Sequence, residues 1–323
     1  MTNTRLDLDR IREARRVIDP VFLDTPLYRC EALEPALGCR VSVKLETANP
    51  VRSFKGRGTE LVASLLAEAG ARAGTRAAVC ASAGNLGQAL AWSGRARGID
   101  VTVVASRFAP AAKLDRIRAL GARLELVDGD FDMARDRAVE IARRDGIRLV
   151  EDSLDLETCE GAATIGLELA EAGPFDAVLI ALGGGAMATG VGHVLKSLAP
   201  GVEVICVQPL GAPAMTLSYR ERRVVTTETA DTIADGVAGR RPIPEVLDDL
   251  LQVADDAVLV REESIVTGMR MLFEQAGLVV EPSAALGLAA VLEDRERFAG
   301  RHVVTILCGG NVNLDAYRRW VGV

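Results

Sequence analysis

Four side chains hold all the amine chemistry open to this chain. Its 38 lysines and arginines include only Lys44, Lys55, Lys113 and Lys196 as lysines; the rest are arginines, whose guanidinium keeps its proton in a protein. Two histidines, His193 and His302, are too few for a histidine-built metal centre and give a Ser-His-Asp triad little to work with. The six cysteines are scattered and contain no CxxC pair, which fits reduced, buried thiols in a cytoplasmic protein.

Four clusters surround those residues or resemble their natural partners. Asn49–Gly58 (NPVRSFKGRG) places Lys55 after the aromatic Phe54 and beside Gly56 and Gly58, which suggests a backbone that a ligand approaches closely. Cys80–Leu90 (CASAGNLGQAL) reads as a strand end, Ser82 and Ala83, then Asn85 and Leu86 at a helix N-terminus able to hold a carboxylate. Ala181–Gly190 (ALGGGAMATG) has three successive glycines that free several N–H groups for one phosphate. Neither the dinucleotide spacing nor a GK[ST] follows, so a single phosphate monoester fits better than NAD or ATP. Thr305–Asn313 (TILCGGNVN) puts Cys308 at a strand end with nothing nearby in sequence to activate the thiol. An amine for an aldehyde, a phosphate cup and a small polar group for a ring nitrogen describe a pyridoxal phosphate (PLP) site.

These clusters need a scaffold that collects strand ends. Strands are predicted at 40–46, 76–82, 100–106, 123–129, 176–182, 202–208 and 302–308, several of them apolar throughout as in parallel sheets covered on both faces. Helical patterns at 110–122 and 131–146 end near glycines. The alternation predicts an α/β fold with doubly wound sheets, in which ligands gather at the carboxyl ends of strands. The stretch 209–256 is the least periodic and reads as loop and short elements. At 323 residues, two domains are expected. A net charge of −7 weighs against a nucleic-acid partner. The uncharged run Ala177–Gly192 is too short and glycine-rich to cross a membrane, and the first residues do not read as a signal peptide.

SFKGRG, SAGNLGQ, GGGAM, TIADGVA, EPSAA and CGGNV, in this order, resemble the fold-type II PLP enzymes, most nearly the threonine/serine dehydratases and serine racemases. The likeness runs from Thr25 to Asn313. It implies two open parallel-sheet domains of the tryptophan synthase β kind with PLP between them: a discontinuous large domain, 1–54 and 148–323, and a small domain, 55–147. By resemblance, Lys55 bonds the cofactor aldehyde, Phe54 packs against it and Asn85 meets its ring hydroxyl. Gly183, Gly184, Gly185, Ala186 and Met187 form the phosphate loop, Cys308 faces the ring nitrogen and Glu281 lies near the ring. Ser82, Ala83, Asn85, Leu86 and Gly236 line the substrate side. The implied protein is a homodimer acting on an amino acid by elimination, with threonine or serine foremost. A β-replacement synthase of the cysteine synthase kind, or a dehydratase for a specialised β-hydroxy amino acid, is the alternative.

The chain departs from that pattern in places. Ala83 stands where the racemases have a second serine, so poor racemisation is expected. Leu86 replaces a common histidine and is expected to set an apolar side chain beside the substrate. Gln208 and Ala214 stand where racemases bind a divalent cation, so no metal dependence is expected. About ten residues follow CGGNVN, so neither a regulatory domain nor isoleucine feedback is expected. In the acidic segment 151–161, Glu151, Asp152 or Glu160 could select a cationic substrate side chain, while Arg135 and Arg137 read as helix surface.

Overall fold

The computed structural model describes residues 3–73 and 76–322. Its strands, numbered along the chain, form two open sheets. The larger holds β1 (Leu27–Arg29), β2 (Arg40–Leu45), β7 (Ala177–Ala181), β8 (Glu203–Pro209), β9 (Asp256–Val260) and β10 (His302–Leu307), in the order β1-β2-β10-β7-β8-β9. The smaller holds β3 (Ala77–Ala81), β4 (Asp100–Ser106), β5 (Arg123–Val127) and β6 (Arg148–Leu149), in the order β5-β4-β3-β6. Every pairing is parallel except β1 with β2.

The small sheet shows why the strand runs are apolar without alternation. Ala78, Cys80 and Val103 enter one core with Val62, Leu90 and Ile117. Their neighbours Val79 and Val104 turn to the other face and pack with Ala134, Ala138 and Ile141. Successive side chains thus enter two different cores, so both must be apolar. The helices Asn85–Arg97 and Phe131–Asp145 end at Gly98 and Gly146, whose φ of 66° and 64° is the left-handed turn that glycine adopts without cost.

The structure departs from expectation in 209–256. Ala214–Glu221 and Pro244–Val253 are helices, and β9 begins at Asp256. In the second helix Val246, Leu247, Leu250 and Val253 are buried at helical spacing behind an opening proline, a period that the acidic residues between them obscure. The small sheet also runs to Leu149, two residues past the expected boundary at 147.

The order of the large sheet places β2, β10 and β7 side by side. The segments leaving their carboxyl ends, carrying Lys55, Cys308 and the three glycines, therefore emerge together. No helix among the described residues is long and apolar enough to cross a membrane.

Candidate active site

Lys55 opens the helix Lys55–Ala73, and the preceding residues are stitched to the end of β10. Ser53 bridges Gly309, the Phe54 N–H donates to the Cys308 carbonyl at 3.0 Å, and the Gly310 N–H donates to the Arg52 carbonyl at 2.9 Å. The Lys55 ammonium lies 4.5 Å from the centre of the half-buried Phe54 ring, and Nζ donates to Asp152 Oδ2 at 2.6 Å.

Two turns of sequence chemistry fix that helix. Arg57 is fully buried and grips Glu46 with Nε and Nη2, both at 2.8 Å, while Nη1 reaches Glu168 Oε1 at 2.5 Å. Burial alone would push the guanidinium down, but Glu46 and Glu168 hold it above its ordinary value. Lys44 joins the cluster through Glu168, balancing two cations against two carboxylates. Gly56 and Gly58 serve packing here, contrary to the expected approach of a ligand. A Cβ on Gly56 would sit 2.1 Å from Phe22, and one on Gly58 would sit 2.8 Å from the Thr158 backbone. Gly58 lets the Lys55 helix close against the helix Leu156–Glu171, and Gly56 makes room for Phe22.

Facing Lys55 is the loop after β7. Gly185, at φ 112°, caps the helix Ala186–Leu198, and Gly184 is exposed. A Cβ on Gly184 would lie 2.6 Å from Ser153 Oγ and 3.9 Å from Asp152 Oδ2. The Ala186 N–H donates to Ser153 Oγ at 3.1 Å. Ala186 and Met187 are buried, so only their backbones face the loop. A Cβ on Gly183 would come 3.1 Å from the Gly236 carbonyl, and one on Gly236 would come 2.8 Å from Ser283 Oγ and 3.4 Å from Glu281 Oε1.

Asn85 begins the helix Asn85–Arg97 and completes the ring. Its Nδ2 donates to both oxygens of Glu281, at 2.9 and 3.1 Å, and its Oδ1 accepts from Asn311 Nδ2 at 2.8 Å. Ser82 and Ala83 are half-buried on the same turn, where Ser82 Oγ accepts from the Gly84 N–H. Leu86 corrects an expectation: its side chain is buried in the small-sheet core with Val62 and Leu90, leaving only its N–H for the site. Burial pushes Glu281 up to about 7, against the pull of Asn85, and pushes the Cys308 thiol well above its usual range, keeping it neutral.

The fixed geometry thus brings Lys55, Phe54, Asn85, Gly183–Ala186, Gly236, Glu281 and Cys308 into one contact ring. Sequence reasoning missed Ser153 and Asn311. Ser153 adopts φ 66° to cap the glycine-loop helix, but it stood in a segment read only for its acids. Among those acids, Glu151 pairs with Arg135 and Glu160 with Arg10. Arg137 pairs with Glu125 and Glu140, so both arginines lie on the helix surface as read. Gln208 Oε1 is spent on Thr216, and no cluster of three metal-ligating side chains occurs among the described residues.

Residues 18–309 match the family model described as pyridoxal-phosphate dependent enzyme. The chain belongs to that family. Its cofactor is pyridoxal phosphate. An L-threonine ammonia-lyase of Thermotoga maritima is 34% identical over 315 residues, covering 97% of this chain and 78% of that protein. A serine racemase of Oryza sativa subsp. indica is 30% identical over 317 residues, 95% of this chain and 91% of that one. The processed form of threonine deaminase isoform 2 from Solanum lycopersicum superposes with a TM-score of 0.89 at 29% identity, covering 99% of this chain and 89% of that one. The fold expected for PLP fold-type II enzymes is the fold observed.

The residues present fit the cofactor. A lysine amine, side-chain-free glycines before a 13-residue helix and a neutral thiol match an aldehyde, a phosphate and a ring nitrogen. Ser283 Oγ is buried beside Gly236 with no hydrogen-bond partner among the described residues, as expected of a group reserved for a ligand.

With the Glu281 carboxyl raised to about 7, the folded chain keeps this proton longer than the unfolded chain. The stability this confers is complete below the ordinary carboxylate range and is lost as pH rises through about 7. Glu281→Gln removes the loss, on the order of 3 kcal/mol. In cofactor-free protein, the melting temperature of the variant relative to wild type is expected to climb between pH 5 and 8; a constant difference contradicts the assignment.

Proposed function

We propose that this enzyme is an ammonia-lyase that removes the β-substituent of a β-hydroxy amino acid, threonine or serine first, yielding a 2-oxo acid and ammonia. Pyridoxal phosphate supplies, when bound, an aldehyde for amines and a ring that draws electrons from the carbon bearing the substrate amine. Lys55 would hold that aldehyde, and its amine would accept the Cα proton of the substrate. The loop Gly183–Met187 holds the phosphate, with Ser153 shaping its helix end. Asn85 is held by Glu281 and Asn311 to meet the ring hydroxyl, and the helix start around Ser82, Ala83 and the Leu86 N–H holds the substrate carboxylate.

Cys308 is the observation that carries this reading. Buried and neutral, the Cys308 thiol would not keep a ring nitrogen protonated as a carboxylate would, and negative charge at Cα would be poorly stored. Expelling a β-leaving group disposes of that charge at once. Ala83 leaves the opposite face without an acid or base, which disfavours racemisation. The two sheets are read as two domains, the small one running from 55 to about 149. Cytoplasmic residence fits six buried, unpaired cysteines, and a homodimer follows the family resemblance.

A panel of β-substituted amino acids, scored for 2-oxo acid and ammonia in equal amounts, tests the reaction. Threonine or serine is expected to lead without forming the D-amino acid. Cysteine made from O-acetylserine and sulfide in place of pyruvate points to the replacement synthase instead. The phosphate loop has its own test. Gly184→Ala places a methyl 2.6 Å from Ser153 Oγ at an exposed position. Cofactor dissociation is expected to rise by at least about tenfold, with the fold intact; an unchanged constant in an absorbance titration contradicts this role.

A further inference from the structure

Asp152 touches the centre of the site and has no task in the reading above. Its Oδ2 accepts from Lys55 Nζ at 2.6 Å and would lie 3.9 Å from a Cβ on Gly184, so the carboxylate sits between the lysine and the glycine loop. Its Oδ1 is buried with no hydrogen-bond partner among the described residues. The neighbouring acids are committed elsewhere: Glu151 to Arg135, Asp155 to Arg148 and Glu160 to Arg10.

The position beside Lys55 Nζ is thus one where a carboxylate already holds an ammonium. A substrate must bring its Cα to that same nitrogen to lose a proton, which carries its β-substituent within reach of Asp152. A carboxylate there favours a substituent that donates hydrogen bonds and bears positive charge, since charge-assisted hydrogen bonds are about twice as strong as neutral ones. A hydroxyl offers one such donor and no charge, whereas an ammonium offers three and a charge.

We propose that Asp152 binds the β-ammonium of a 2,3-diaminocarboxylate and makes such diamines substrates of this enzyme. The inference rests on the ammonia-lyase reading and names a further substrate class for the same site. Lys55 takes the Cα proton, the Cα–H pair forms the Cα=Cβ bond, and the Cβ–N pair leaves with nitrogen as neutral ammonia. The released enamine takes up water and loses its amino group. 2,3-Diaminopropionate and one water thus give pyruvate and two ammonia, with no oxidant or reductant.

The experiment compares kcat/KM for L-2,3-diaminopropionate and L-serine in PLP-loaded wild type, Asp152→Asn and Asp152→Glu. Wild type is expected to turn over the diamine. The diamine-to-serine ratio is expected to fall at least about tenfold in Asp152→Asn and to stay within about threefold in the charge-keeping Asp152→Glu. A ratio unmoved by Asp152→Asn, or lost equally in both variants, overturns the role of the charge. A second reading uses cofactor-free protein: Asp152→Asn is expected to speed acylation of Lys55, read by peptide mass spectrometry, because the carboxylate no longer holds Nζ. Unchanged labelling overturns the cation site. Elimination from serine or threonine without any from the diamine overturns this inference and leaves the ammonia-lyase reading standing. Elimination from none of the three overturns that reading, and this inference with it.

Discussion

Lys55→Ala is expected to lower turnover of threonine or serine by at least about a thousandfold, because in the proposed reaction one amine both anchors the cofactor and moves the Cα proton. The visible absorbance of the loaded protein is expected to disappear at the same time. Folding is expected to survive, since Lys55 is the first residue of its helix and its ion pair with Asp152 is not deeply buried. The other lysines cannot substitute. Lys44 is locked to Glu168 in a buried ion pair, Lys113 pairs with Asp235, and Lys196 with Asp255 at the amino end of β9. Single-turnover absorbance and steady-state 2-oxo acid release measure both losses; a coloured, active Lys55→Ala protein contradicts the assignment.

Arg57→Ala is expected to be the most destabilising single change near the site. Arg57 makes five hydrogen bonds to Glu46, Glu168 and Thr164 with no solvent access. Its removal leaves Glu46 buried with only the Thr25 hydroxyl as a side-chain donor, and Glu168 with Lys44 and the Asp24 N–H. Breaking a buried charge network in this way costs about 3–5 kcal/mol, or roughly 10 °C in melting temperature. The same helix starts at Lys55, so activity is expected to fall as well, by up to about a hundredfold for a displacement of an ångström. Arg57→Lys is expected to restore only part of either quantity, because an ammonium cannot hold two carboxylates in the fork geometry. Urea midpoints for the three proteins check the order; equal midpoints contradict the anchoring role.

The motifs were readable in the sequence because their chemistry is local. Three glycines before a helix, or an asparagine at a strand-to-helix turn, specify backbone groups that no distant residue needs to supply. The strand runs were readable for a similar reason, since two-sided burial leaves a continuous apolar signature. Gly56 and Gly58 were misread because a glycine does not declare what approaches it. Phe22 and Thr158, far away in the chain, are what fill the space. Leu86 was misassigned because a helix start has both a site-facing backbone and a core-facing side chain, and the pattern does not say which matters. Ser153 and Asp152 reach the site only through the return of the chain from the small sheet to the large one. Their local sequence announces acidity and nothing about the loop after β7 that they meet.

With only four lysines in the chain, the attachment point of the cofactor can be read directly. The PLP-loaded protein is reduced with borohydride, digested, and searched for peptides carrying the pyridoxyl phosphate mass. The label is expected on the peptide containing Lys55. Labelling of Lys44, Lys113 or Lys196 in its place, or no covalent label on a protein that still binds the cofactor, contradicts this assignment.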